Sequence, residues 1–253
     1  MADSAHASTP LPAVRHVTPG APLRWLARGW ADLRAHPLPS AFYGASFALM
    51  GWLVAVVFEH AAAYVASLVA GFFLVGPFLA TGLYALSRRR ERGESVTLAP
   101  TLDAWRPEVG AIGVFALVLT VILLVWARAS LVVFALFYTQ GMPSLQGFLG
   151  QLASPDNLEF LFAYACVGGF FALLTFAISV VSVPMMLDRG TDGVVAVLTS
   201  VRAFGANLPA MLVWGAAIVV VIALGFALAF VGLVVAVPLV GHATWHAYRD
   251  LVE

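Results

Sequence analysis

LPAMLVWGAAIVVVIALGFALAFVGLVVAVPLVGHATWHAY, the run from Leu208 to Tyr248, holds no Asp, Glu, Lys or Arg. A bilayer's hydrocarbon core is ~30 Å thick and takes ~20 apolar residues per helix, so the run is long enough to cross twice with a tight turn near Phe230–Gly232. Four further apolar stretches precede it, Ala41–Phe58, Ala61–Leu86, Ala111–Tyr138 and Phe160–Leu187, each able to cross once. Across all five the only formally charged side chain is Arg128. The reading is an all-α polytopic membrane protein with six transmembrane helices, over about 41–59, 62–86, 111–138, 160–187, 208–229 and 232–248, in a single domain of residues 23–253.

Composition agrees. The chain is 62% hydrophobic and 10% charged, with a mean hydropathy of +0.95; soluble domains sit near ~45–50% apolar and ~25% charged. At 253 residues a six-helix bundle leaves little chain for a soluble domain. A net charge of zero, with arginines scattered through short loops, predicts no nucleic-acid partner. The lone Cys166 falls inside the fourth span, so no intrachain disulfide is available. Met1–Pro22, rich in Ala, Ser, Thr, Pro and His, is expected to be a disordered cytoplasmic tail, because it buries too little surface to offset ordering. No cleavable signal peptide is expected, since the first apolar run begins too far from the start.

All thirteen cations are arginine. Arg15, Arg24, Arg28 and Arg34 precede the first span; Arg88, Arg89, Arg90, Arg92 and Arg106 lie between the second and third; Arg189 and Arg202 lie between the fourth and fifth; Arg249 follows the sixth. The other gaps, Glu59–His60, Thr139–Glu159 and the turn near Gly232, contain none. Cations are retained in the cytoplasm during insertion, so both termini are predicted to be cytoplasmic in the inner membrane.

Each cytoplasmic approach to a span reads alike. A short amphipathic segment carries Trp or Phe with Arg, and then Pro or Gly interrupts it: Trp25–Arg34 before Pro37, Thr101–Arg106 before Pro107, and Val197–Phe204 before Pro209. Trp25, Leu26, Gly29, Trp30 and Leu33 are read as one apolar face, with Arg24, Arg28 and Asp32 opposite. Such helices lie along lipid headgroups with their cations reaching phosphate, so Arg24, Arg28, Arg88, Arg89, Arg90 and Arg202 are the candidate headgroup residues. Pro77, Pro184 and Pro238 stand ahead of Arg88, Arg189 and Arg249 in the even-numbered spans, where each is expected to kink its helix. The pattern is three units, each an interfacial helix followed by a transmembrane hairpin. The alternative is that Arg, Trp and Pro collect at the cytoplasmic helix ends of any inner-membrane protein.

Few residues carry chemistry. Arg128 lies ~27 Å along its helix from Gly110, close enough to the far interface to snorkel; an intramembrane charge is otherwise a functional candidate. His242 and His246 are spaced to share one helix face, the arrangement of a metal or haem-iron pair, with Cys166, Asp188 and Asp192 as conceivable companions; the competing reading is a headgroup-level anchor beside Trp245. Asp192 or Thr191 is a natural N-cap for the helix that runs to Phe204. None of the five apolar stretches holds Asp, Glu or Lys, which disfavours an ion-coupled transporter. No nucleotide fingerprint or nucleophile–base pattern is present.

Three segments carry a resemblance: Gly29–Arg34 with Ser40–Gly44, Gly76–Ala80 running on to Leu86–Gly93, and Phe176–Arg189 with Gly241–Asp250. Over about residues 23–252 the chain resembles a bacterial family of uncharacterised six-span inner-membrane proteins, a domain of unknown function often labelled as a cytochrome c oxidase subunit. The resemblance implies fold and location. Its label implies at most an accessory or assembly subunit, because a catalytic haem–copper subunit needs His ligands on several helices. The leading expectation is a non-enzymatic scaffold, accessory or lipid-organising protein whose partners are membrane lipids and another membrane complex, with no cofactor. The alternatives are an oxidase-associated subunit handling haem or copper through His242 and His246, and a passive channel or facilitator.

Overall fold

The computed structural model describes residues 11–61, 64–137 and 158–253, and among these the α-helix is the dominant element. The helices are α1 Ala21–Ala35, α2 Pro37–Ala61, α3 Val65–Glu91, α4 Val109–Phe137, α5 Leu158–Ser179, α6 Ser182–Arg189, α7 Gly193–Ala206, α8 Leu208–Ala227 and α9 Leu233–Leu251. The loop Thr139–Glu159 falls, up to residue 157, outside the described residues.

Proline and local capping set most boundaries. α1 carries Pro22 in its first turn, where no intrahelical N–H is needed. It stops at His36 because a following proline, Pro37, disfavours helical backbone before it. Asp192 caps α7 as its sequence position predicts, its carboxylate accepting the N–H groups of Val194 at 2.9 Å and Val195 at 3.0 Å. α6 ends on Gly190, whose φ of 61° is a left-handed C-terminal turn. The turn joining α8 to α9 covers Leu228–Gly232, at the expected place.

Two expectations need correction. The fourth span, expected as one helix over Phe160–Leu187, is two, α5 and α6, separated at Val180 and Val181. Pro184 has no N–H for the Val180 carbonyl, so the helix restarts where a kink was anticipated. The middle interfacial segment is not an α-helix either. Two 3₁₀ turns, Ala99–Thr101 and Arg106–Glu108, stand there, because Pro100 and Pro107 leave too short a run between them.

Five helical stretches are long and apolar enough to cross a membrane: Pro37–Ala61, Ser67–Glu91, Ala99–Phe137, Leu158–Arg189 and Leu208–Ala227. The sixth predicted span corresponds to α9, 19 residues long, whose second half carries Thr244, His246, Arg249 and Asp250. α9 is the hub on which α1, α2, α3 and α8 pack. Side chains with no solvent exposure collect around it at the arginine-rich end, among them Trp25, Met185, Met211, Trp214, Trp245 and Tyr248. Farther along, α4, α5 and α8 turn most of their Val, Leu and Phe outward, a neutral choice where the surrounding lipid is equally apolar.

The chain's two ends meet at that same end. The Arg15 amide donates to the Leu251 carbonyl at 2.8 Å and the Glu253 amide to Ala13 at 3.0 Å, while the Val17 amide donates to Asn207 Oδ1 at 2.7 Å. The flexible tail expected over residues 1–22 therefore does not include Ala13–Pro22, which are held by pairing partners that composition cannot reveal.

α1 also differs from its expected orientation. Trp25, Gly29 and Leu33 are buried, and so is Asp32, at 5% exposure, whereas Trp30 faces outward. At 100° per residue Asp32 projects almost directly below Trp25, so it belongs to the buried stripe and not to the opposite face with Arg24 and Arg28.

Candidate functional site

Asp32 is the centre of a buried polar cluster. Its partners come from three directions because α1, α2 and α3 all converge on α9. The Ser87 hydroxyl of α3 donates to Asp32 Oδ2 at 2.6 Å and lies 2.7 Å from His242 Nδ1 of α9. The other ring nitrogen of His242, Nε2, is 2.9 Å from the Ser40 hydroxyl of α2, which also reaches the His36 carbonyl at 2.8 Å. His246 Nε2 lies 3.0 Å from Asp32 Oδ2, and the Arg90 guanidinium pairs with Oδ1. Ser40, Ser87 and His242 have at most 1% exposure.

Electrostatics follow from this packing. Burial by itself raises the Asp32 carboxyl, but hydrogen bonds from His246 and Ser87 and the charges of His246 and His242 outweigh it and hold the carboxyl below its usual range. The carboxylate is ionised and both its oxygens are engaged.

The spacing of four does bring His242 and His246 to one face of α9, as predicted, and there they meet Asp32 and the two serines. Each ring nitrogen of His242 is already matched to a serine hydroxyl, and His246 turns its Nε2 to a carboxylate. Among the described residues no group of three or more His, Cys, Asp or Glu side chains is disposed to hold a metal ion. The suggested companions lie elsewhere: Cys166 is exposed on α5, Asp192 caps α7, and Asp188 pairs with Arg92 at 3.3 Å and Arg249 at 3.5 Å.

A second polar layer surrounds the first. Asp250 accepts the Trp25 indole N–H at 2.8 Å and pairs with Arg28 at 3.0 Å, which ties α1 to α9. Glu91 accepts the Trp245 indole at 3.0 Å and pairs with Arg249 at 3.1 Å. The Arg189 guanidinium donates to the Tyr248 hydroxyl at 2.8 Å, and that hydroxyl donates to Asp188 at 2.9 Å.

The candidate headgroup arginines thus divide. Arg28, Arg89 and Arg90 have carboxylate partners, and Arg88 donates to the Leu187 carbonyl at 2.6 Å. Arg24 and Arg202 are exposed and make no ion pair among the described residues. Arg128 is exposed on α4 and likewise has no ion-pair partner among them.

Residues 64–188, from the start of α3 to the end of α6, match a family described as "Predicted integral membrane protein (DUF2189)". The match takes in 125 of the 253 residues, and the function of that family is unknown. No curated protein and no solved structure matches the chain. The matched stretch supplies Ser87, Arg90, Glu91 and Asp188, while Asp32, Ser40, His242 and Asp250 lie outside it.

Asp32, Ser40, Ser87, Glu91 and Asp250 were not singled out in the sequence. One signal was available for Asp32: it stands seven residues from Trp25 and three from Gly29, on the stripe those two define. Nothing local marks Ser40 or Ser87, whose partner is more than 150 residues away in the chain.

Proposed function

We propose that the chain is a six-span, non-enzymatic protein of the bacterial inner membrane, with both termini cytoplasmic, that organises anionic lipid at its cytoplasmic face. One observation carries this reading. α7 leaves Val194, Leu198, Val201 and Arg202 exposed along a single stripe, and α1 leaves Leu23, Arg24, Trp30 and Arg34 exposed in the same manner. Large apolar side chains beside unpaired cations suit a helix lying in the headgroup layer, its rings among the upper acyl chains and its guanidinium groups at phosphate.

Further support comes from the termini. They pair with each other, which favours an even number of crossings, and α9 added to the five long apolar stretches would supply the sixth. Retention of arginine on the cytoplasmic side then orients the bundle. The non-enzymatic reading is supported by the Asp32–Ser87–His242–Ser40 chain, whose members are hydrogen-bonded to one another.

The test is purification in mild detergent with quantitation of bound phospholipid. Replacing Arg24 and Arg202 together by Gln should lower retained anionic lipid several-fold while zwitterionic lipid is unchanged. Equal retention by variant and wild type would sink the proposal.

A further inference from the structure

Below the polar cluster the bundle is hollow. A cavity of about 290 Å³ lies where α2, α3, α4, α5, α8 and α9 converge, walled by Phe47, Pro77, Tyr84, Phe115 and Trp214 among others. An open cleft of about 500 Å³, walled by Phe73, Trp126, Phe171 and their neighbours, adjoins it. The two share Leu119, Phe176, Ser179 and Ile218 as wall residues, so they lie side by side as one apolar tract. Its size and its aromatic lining with a few polar atoms are those of a small-molecule site.

Two of those polar atoms lack partners. Trp214 has 0% exposure and its indole Nε1 has no hydrogen-bond acceptor, a state that costs about 1–3 kcal/mol. The Tyr84 hydroxyl has no hydrogen-bond partner among the described residues. Both stand on the wall of the inner cavity. Each can donate, and what the cavity lacks is an acceptor.

Depth identifies the acceptor. Trp214 is six residues into α8, ~9 Å below the arginine-bearing end, and Tyr84 is seven residues above the end of α3, ~10 Å below it. With that end at the headgroups, as the proposed orientation places it, both donors lie where headgroups give way to hydrocarbon, the level of glycerol ester carbonyls. The rest of the tract runs toward Trp126, ~26 Å along α4, entirely within the hydrocarbon layer.

We infer that this tract is a binding site for one acyl chain of a bilayer glycerolipid, the ester carbonyl accepting from Trp214 Nε1 and Tyr84 and the hydrocarbon filling the cleft between α4 and α5. The inference rests on the same membrane orientation as the proposed function but not on the headgroup arginines.

The experiment places the full chain in nanodiscs of phosphatidylethanolamine and phosphatidylglycerol doped with a phospholipid carrying a diazirine in one acyl chain. After irradiation, adducts are mapped by mass spectrometry. Adducts should concentrate on cleft residues such as Phe171, Ala172 and Thr175. Trp214→Phe, which removes the indole donor while leaving an apolar ring on an enlarged cavity, should lower their yield about three-fold or more. Gly168→Leu should abolish them by filling the cleft; a Cβ there meets nothing nearer than Trp126 Nε1 at 3.9 Å, and an unchanged size-exclusion profile would show that the variant folds. Adducts spread evenly over outward residues such as Val114, Leu117 and Val121, unchanged by either variant, would overturn the site. Displacement of cleft adducts by a long-chain quinone, but not by excess unlabelled phospholipid, would overturn the occupant. Arg24 and Arg202 are intact in every arm, so loss of headgroup retention and loss of cleft labelling are separate results.

Discussion

The Ser87 hydroxyl lies 2.7 Å from His242 Nδ1 while donating to Asp32 at 2.6 Å, so one small side chain joins a helix of the first half of the chain to one of the last. A hydroxyl in that position satisfies two buried groups at once. Ser87→Ala leaves His242 Nδ1 unmatched and removes one donor from a buried carboxylate, at a cost of about 1–3 kcal/mol. Thermal unfolding in detergent should show a lowered midpoint for Ser87→Ala, and an unaltered midpoint would mean the cluster contributes nothing to stability.

Asp32 makes stability depend on acid. Its folded carboxyl is held below the unfolded value, so its contribution is present above about pH 4 and is lost as the pH falls through the lowered folded value. His246, His242 and Arg90 are the charged or titratable groups that face it. Unfolding followed between pH 7 and pH 3 should therefore weaken with acid in the wild type. Asp32→Asn should be less stable at pH 7 and show a shallower acid dependence, and parallel curves for the two proteins would contradict this account.

Asp250 fastens α1. With its carboxylate gone, the fully buried Trp25 indole loses its acceptor and Arg28 its counter-charge. Asp250→Ala should speed amide exchange across Ala21–Ala35 at least several-fold, with little change in α4 or α5. Uniform exchange changes throughout the bundle would show that α1 and the spans open as one unit.

Gly44 permits a close crossing of α2 and α9. A Cβ there would collide with the Val234 carbonyl, which Pro238 has deprived of its helical donor. The obstacle is backbone, so it cannot rotate away, and Gly44→Val is expected to cost more than the ~1–3 kcal/mol of ordinary overpacking. Size-exclusion profiles after a heating series measure this, with Gly110→Val, which meets nothing within 4 Å, as the tolerant control.

The sequence and the structure agree where one residue's neighbours along the chain decide its state. The Asp192 cap, the Leu228–Gly232 turn and the long apolar helices all depend on contacts a few residues apart, and each was legible. The break at Val180 was half legible: Pro184 announced a disturbance, but whether a helix bends or restarts depends on how α7 and α9 pack beside it. The orientation of α1 is not given by charge alone, because Asp32 is charged yet its helical angle points inward.

Apolar length and the placement of arginine were enough, by themselves, to determine that this chain resides in a membrane as helices. Lipid imposes that outcome on any backbone, because every peptide group must find its partner within the segment. Which polar residues would be enclosed at the end of the bundle was decided only by tertiary structure. Asp32, Ser40, Ser87 and His242 stand far apart in sequence, and their meeting depends on three helices converging on α9. The same holds for the tract at Trp214, since a cavity is the space between helices and exists in none of them alone.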